Sequence, residues 1–258
     1  MNGGEIMPEF CNRTLQRGLQ ILELLSSVKR GMELHEIAKQ MELPKSTAHN
    51  LVHTLVSCGY IMSDSHGRFQ LTPKTYEIGA AGMQDMDIGH ALRRCMRHAF
   101  TECNETMHLG VLSGPDVVYI DKIESTQSIR MTSRIGSRLP LYATAMGKAF
   151  LAAMPDADIR KLYPEKTLPK LTEHTVSSLD ELLTQIRRIR EAGYAWEDQE
   201  NAENVSCVAV SILDRDLHPA YALSFSVPAF RMSEEKRQTC VKLLMQAREH
   251  MERILHTL

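Results

Sequence analysis

The stretch LHEIAKQMELPKSTAHNLVHTLVSCG, Leu34 to Gly59, decides the fold of the first part of this chain. Ile37, Ala38 and Met41 fall on one side of a short helix, Leu34 to Met41, which Glu42-Leu43-Pro44 breaks. A second helix starts near Lys45 and ends before Gly59. Within it Ala48, Leu51, Val52, Leu55 and Val56 recur at helical spacing and face the core. Ser46, Thr47, His49, Asn50 and His53 are left outside, crowded into its N-terminal half. Downstream, Tyr60-Ile61-Met62, a Ser-Asp-Ser-His-Gly turn and Arg68-Phe69-Gln70-Leu71 read as a β-hairpin. Two short helices with a tight break and a following hairpin are the winged helix-turn-helix arrangement. In that arrangement the start of the second helix meets base edges, and its free amides can hold a phosphate. Asn50 is able to bond adenine N6 and N7 bidentately, while Lys45 at the helix start and Arg68 on the wing suit the DNA backbone. The plain alternative is a three-helix bundle whose polar residues are merely solvated.

Upstream, a helix from Thr14 to about Ser27 carries Leu15, Leu19, Leu22 and Leu25 as its apolar stripe, with Thr14 as N-cap and Arg17 near its start. Lys29-Arg30-Gly31 supplies last-turn cations and a glycine stop. Thr72-Pro73 opens a linking helix from Lys74 to about Met86. Beyond Asp87 the pattern changes. Helices are expected at about Ile88–Cys103, Thr144–Ala153, Ser178–Ala192 (opened by a Ser178-x-x-Glu181 capping box) and from Ser233 to the end. Strands are expected at Thr106–Leu112, Val117–Ile123, Ile129–Ser133, Tyr194–Glu197, Val205–Leu213 and Tyr221–Val227. The expected organisation is a tail (1–13), a winged helix-turn-helix (14–72), a linker helix (73–87) and an α+β domain with a mostly antiparallel sheet (88–258).

The 258 residues carry 30 Lys and Arg against 32 Asp and Glu, which excludes a histone-like basic protein and an acidic solvating tail. Within residues 1–72, seven basic residues face seven acidic ones, so only their placement at helix starts and on the wing favours DNA. The six cysteines contain no Cys-x-x-Cys, and the N-terminus MNGGEIMPEF has no signal-peptide pattern. Ser46–Ser63, the longest run without Asp, Glu, Lys or Arg, is too polar to span a membrane. A cytoplasmic protein without disulfides is expected. Cys95, His98, Cys103 and His108 could be drawn as metal ligands, but core and surface uses account for them. Gly147-Lys148-Ala149 lacks the flanking residues of a phosphate loop, because Tyr142 and Ala149 stand where Gly and Ser/Thr belong. No metal, cofactor or catalytic residue is expected.

Four ordered runs carry a resemblance: Gln16 to Leu25 with Glu36-Ile37-Ala38 and Leu43 to His49; Tyr119 to Ser125; Pro140 to Ala149; and Gly193-Tyr194-Ala195 with Cys207-Val208-Ala209. From Thr14 onward the chain resembles IclR-type bacterial transcriptional regulators. That resemblance implies a GAF-like effector-binding domain after the winged helix, a dimer or dimer of dimers on operator DNA, and control of catabolic genes, by repression as the family's habit. It also implies a pocket built from backbone amides near Ala145 and Met146, the acidic Glu197, Cys207, and the Ser224/Ser226 pair. Strand alternation agrees, since Ser224 and Ser226 point to one face and Cys207 can share it.

Departures from the family sharpen the expectation. Asn50 stands where many members have Arg, so guanine reading by a guanidinium is not expected from this helix. Glu197 replaces the usual Asp, and Gln199, Asn204 and His218 replace Glu, Gly and Gly. A small organic acid, such as a sugar acid, would place its carboxylate on the amides and donate a hydroxyl to Glu197. Trp196, the single Trp, is next to Glu197 and is expected to report binding. Two rival readings are an enzyme using Cys207 as nucleophile with Glu197 as base, and an effector-insensitive DNA binder.

Overall fold

The computed structural model describes residues 12–28, 30–82, 86–129 and 133–257. The expected tail lies outside them up to residue 11. Helix α1 (Arg13–Ser26) begins earlier than expected because Asn12, not Thr14, is its cap. The Asn12 side chain accepts from the amides of Thr14 at 3.0 Å and Leu15 at 3.1 Å. Its buried side is Gly18, Ile21 and Leu25, whereas Leu15 and Leu19 are more than half exposed. The leucine spacing suggested one stripe; Ile21 sets the face that the core takes.

Lys29 of the expected helix stop lies outside the described residues, and Gly31 does different work. It has φ +66°, and a Cβ there would lie 2.6 Å from the Phe69 carbonyl oxygen. The close approach admits β1 (Met32–Glu33), which the sequence reading missed, alongside β3 (Arg68–Leu71). Helices α2 (Leu34–Gln40) and α3 (Lys45–Ser57) and strand β2 (Ile61–Ser63) match expectation. The small sheet runs β1-β3-β2, all antiparallel. Ile21, Leu25, Met32, Ile37, Leu51, Val52, Ile61 and Phe69 close this unit's core. Helix α4 (Pro73–Gly82) follows; the expected linker continues into 83–85, outside the described residues. The chain divides into two compact units, Met1–Gln84 and Asp85–Leu258.

The second unit opens with α5 (Met86–Cys103), then β4 (Thr106–Ser113) and β5 (Asp116–Ile123). The expected strand at Ile129–Ser133 falls mostly on 130–132, outside the described residues, and of its ends Ile129 sits in a bend and Ser133 in irregular chain. The third strand is instead β6 (Arg138–Pro140), at the sheet edge, where the missing N–H of Pro140 costs no ladder bond. A 3₁₀ turn, Leu141–Ala143, leads into α6 (Ala145–Ala152), followed by the unexpected α7 (Asp156–Leu162) and by α8 (Leu179–Ala192). Strands β7 (Ala195–Asp198), β8 (Val205–Leu213) and β9 (Pro219–Pro228) precede the terminal α9 (Glu234–Thr257). The sheet order is β6-β5-β4-β9-β8-β7, antiparallel throughout.

Alternation gives this sheet two unlike faces. Met107, Leu109, Val208, Val210, Leu223, Phe225 and Val227 form a bulky apolar layer with α5 and α9. The opposite face presents small residues, Ala195, Ala209 and Ala222, to α6 and α8. Gly147 lets α6 close down on its own entry turn, since a Cβ there would lie 2.2 Å from Leu141 Cα. A face of alanines, serines and a cysteine under a close helix leaves space, and that space holds the site. Among the described residues no helix is long and apolar enough to cross a membrane.

Candidate functional site

In the first unit, Lys45, Ser46, His49, Asn50 and His53 are exposed on α3 and Thr47 is half-buried. Pro44 precedes the helix with no side-chain cap, and the first intrahelical acceptor pair is Ala48 N–H to the Pro44 carbonyl. The amides before Ala48 therefore stay available to an anion. His49 and His53 rings lie 4.1 Å apart, and His53 meets Phe69 edge-on at 6.5 Å, which ties the reading face to the hairpin. Arg17 is exposed on α1, and among the described residues neither it nor Lys45 has an ion-pair partner. Arg68 departs from its expected role. Its guanidinium donates to Glu36 at 3.2 Å and to the Gly31 carbonyl at 3.3 Å, so it braces the hairpin against α2 instead of hanging free on the wing.

In the second unit, strand register builds one row, Glu197–Cys207–Ser226–Thr106, and beside it another, Ala195–Ala209–Ser224–His108. Five of the six residues expected to line the pocket, Ala145, Met146, Glu197, Cys207 and Ser224, line one small cavity of about 20 Å³ with Thr144, Tyr119 and Asn201, and the sixth, Ser226, does not. Cys207 and Ser226 line an adjoining cavity of about 220 Å³ with His108, Tyr119, Ser133, Ser137 and Leu139. Tyr119, Asn201, Ala202, Val205 and Cys207 belong to both walls. Reading by residue spacing missed His108, Tyr119, Ser133, Ser137 and Asn201. The signal for His108 is the β4 alternation, which puts it on the Ser224 face.

Hydrogen bonds knit the larger cavity's wall. The Cys207 thiol donates to Ser226 Oγ at 3.3 Å, Ser226 Oγ meets His108 Nδ1 at 3.3 Å, and His108 Nε2 meets Ser133 Oγ at 2.6 Å. Tyr119 stacks on His108 with centroids 4.3 Å apart. Burial, helped by Lys122, drives the His108 pKa down to about 3, so the ring is neutral and one nitrogen must accept. At the small cavity, Thr144 Oγ1 accepts from the Gly147 amide at 3.1 Å, which leaves the Ala145 and Met146 amides as the open pair. Glu197 Oε1 accepts from the amides of Glu200 and, at 3.1 Å, Asn201. Gln199 and Asn204 both take the left-handed conformation (φ +61°), so Asn204 serves where the family has Gly. Beneath them Lys148, fully buried, is paired with the buried Glu200.

Desolvation raises Glu197 to about 7 and pushes the Cys207 thiol well above its ordinary value, with Glu197 adding to the latter. A protonated thiol bonded to a serine is the wrong state for a nucleophile. The imagined metal ligands are dispersed: His108 is in the cavity wall, Cys103 Sγ lies 3.3 Å from Cys240 Sγ, and Cys95 and His98 line a groove between α5 and α9. Among the described residues no three potential ligands cluster. Trp196 points away from the cavity, on the face opposite Glu197, with the Arg237 guanidinium 4.0 Å over its ring.

Known proteins agree with this division. Residues 14–65 match the IclR helix-turn-helix domain and residues 80–253 the bacterial transcriptional regulator IclR C-terminal domain. The HTH-type transcriptional regulator KdgR of Escherichia coli is 34% identical over 225 residues, which are 87% of this chain and 85% of that protein. The transcriptional repressor IclR of the same organism is 30% identical over 227 residues, 87% of this chain and 83% of that one. A solved IclR homologue of Microbacterium hydrocarbonoxydans, complexed with 4-hydroxybenzoate, shares the fold with a TM-score of 0.83 at 23% identity, over 94% of this chain and 98% of its own. A reading helix in one unit, a cavity in the other and matches across both place this chain in the IclR family of bacterial DNA-binding transcriptional regulators.

Proposed function

We propose that the chain is a cytoplasmic repressor that binds operator DNA as a dimer or dimer of dimers and answers to a small hydroxylated organic acid. The observation that carries this reading is the cavity: Glu197, Cys207, Ser224 and the start of α6 converge on one small space next to a chamber walled by Ser133, Ser137, Ser226 and His108. The hydroxyls and the neutral imidazole along this wall suit an acid that carries a hydroxyl of its own. The homologue that holds 4-hydroxybenzoate supports an acid in this fold. On the DNA side Lys45, Ser46, Thr47, His49, Asn50 and His53 form the reading face and Arg17 a backbone contact, while Arg68 acts by holding the hairpin in place. Asn50 selects an adenine. With Arg17 and Lys45 as the cations assigned to this surface, one subunit binds weakly, and pairing two half-sites supplies the affinity.

No nucleophilic role is assigned to Cys207, whose thiol burial holds in the protonated form. Ligand control requires that the acid prefer one placement of the reading heads over another. Selecting bound sequences from random duplexes, then titrating sugar acids, keto acids and hydroxybenzoates against the selected duplex, tests the reading. A two-fold-related consensus released by one class of acid is expected. Binding without a consensus, or a complex untouched by every acid, overturns it.

A further inference from the structure

The sequence suggested that the amides of Ala145 and Met146 and the carboxylate of Glu197 would hold opposite ends of a ligand. The structure puts them on the walls of one space large enough for about a single water-sized group. Ser224, 2% exposed and lining the same space, has a hydroxyl with no partner among the described residues. A ligand carboxylate seated on the amides therefore lies against Glu197, and the groups around that carboxyl can be counted. From α6 comes the cation Lys148, already paired with Glu200 from the β7–β8 turn. From β8 comes the Cys207 thiol, from β5 the Tyr119 phenol, and from β4, one strand row away, the His108 ring. Burial keeps the thiol and phenol protonated and the ring neutral. One cation thus already faces two carboxylates, and Lys122, which reaches the adjoining chamber at the Ser133 carbonyl, is paired with Glu124, so among the described residues a third buried negative charge meets no cation without a carboxylate of its own.

We propose that this cavity takes its ligand's carboxylate together with a proton, so that Glu197, protonated, donates to the carboxylate while the Ala145 and Met146 amides donate from the other side. The proton comes from solvent, and the bound species is an acid–carboxylate pair sharing one hydrogen. Glu197 is suited to this because its second oxygen is not tied to the Glu200 and Asn201 amides, which both use Oε1. Its raised pKa, about 7, means the proton is added near neutral pH at little cost. The inference rests on the effector reading above and extends it: affinity for an acid would fall as the medium turns alkaline, although the acid itself stays ionised throughout.

Titration calorimetry of the full chain with D-glycerate, D-gluconate, pyruvate and 4-hydroxybenzoate tests this, run in phosphate and in Tris to count protons. An acid that binds is expected to carry about 0.9 proton with it at pH 8 and to weaken about 30-fold between pH 6 and pH 8.5. Glu197→Gln, which keeps an acceptor for the two amides and a permanent donor for the ligand, is expected to abolish both effects. If that variant fails to fold, the two-buffer measurement on the unaltered chain decides alone. Binding with no proton uptake and no pH dependence overturns this inference and leaves the cavity as the effector site. Failure of all four acids to bind or to move the melting temperature overturns the cavity reading, and this inference with it.

Discussion

The two units handle their functional side chains in opposite ways. On α3 the polar residues stand in solvent, and Asn50, Ser46 and Lys45 make no side-chain bond among the described residues that the fold depends on. Around the cavity most of the corresponding residues are largely withdrawn from solvent and bonded to a neighbour: Glu197 to a turn, Cys207 to Ser226, His108 to Ser133. The difference teaches where function and stability are separable. A reading face can be rewritten at almost no folding cost, whereas each polar group in the cavity is held by others that suffer when it goes.

The strongest way to break this comparison is at Lys148. Lys148→Met strands Glu200 and Glu197 as unbalanced buried carboxylates, and a loss of about 3–5 kcal/mol in urea unfolding is expected. Adding Glu200→Gln should return part of it; a Lys148→Met chain as stable as the parent would mean that the pair is solvated. Next comes acidity. Glu197, raised from 4.5 to about 7, contributes stability that is present below pH 4.5 and lost as pH rises through 7. His108, lowered from 6.5 to about 3, contributes stability present above pH 6.5 and lost as pH falls through 3. Between pH 4.5 and 6.5 the two slopes oppose each other. Glu197→Gln removes one of them, and stability should then drop by about 2–3 kcal/mol between pH 6.5 and pH 4.5, against little change from this pair in the parent.

On the reading face the expected numbers move from stability to binding. Asn50→Ala should cost about 1–3 kcal/mol of operator affinity and relax one base position, with unfolding changed by less than about 0.5 kcal/mol. Fluorescence anisotropy on duplexes varied at each position distinguishes this from a general loss. The smallest contrast is between two arginines. Arg17→Ala should reduce the slope of log affinity against log salt by about one and leave the melt alone. Arg68→Ala should do the reverse, lowering stability by up to about 1 kcal/mol through its half-exposed pair with Glu36 and leaving the salt slope in place. Equal salt slopes for the two variants would return Arg68 to the DNA.

What the sequence discloses follows the same division. Helix α3 is legible to the residue because Pro44 and Gly59 bracket it and its apolar spacing has one solution. Part of the cavity's β7–β9 wall is legible because period-two alternation puts Ser224 and Ser226 on one face and lets Cys207 share it, whereas Glu197 comes from the family resemblance. Contacts far apart in sequence are not legible by these rules. Arg68 finds Glu36 across 32 residues, and His108 finds Ser133 across 25. Short elements such as β1, with two residues, and β6, with three, carry too few positions for any period to show. Leu15 and Leu19 misled because a helix with apolar residues on more than one side names its buried face only once its neighbours are placed.

Trp196, half-exposed beside Arg237, has a use that its distance from the cavity does not diminish. It is the chain's one Trp, and it lies in the second unit, so the unit that reads DNA is silent in indole emission. Fluorescence melting therefore follows the second unit, while circular dichroism, dominated by helices in both units, follows both. Superimposed on one temperature axis, the two signals measure whether the units unfold as one cooperative body or as two, with no label added to either.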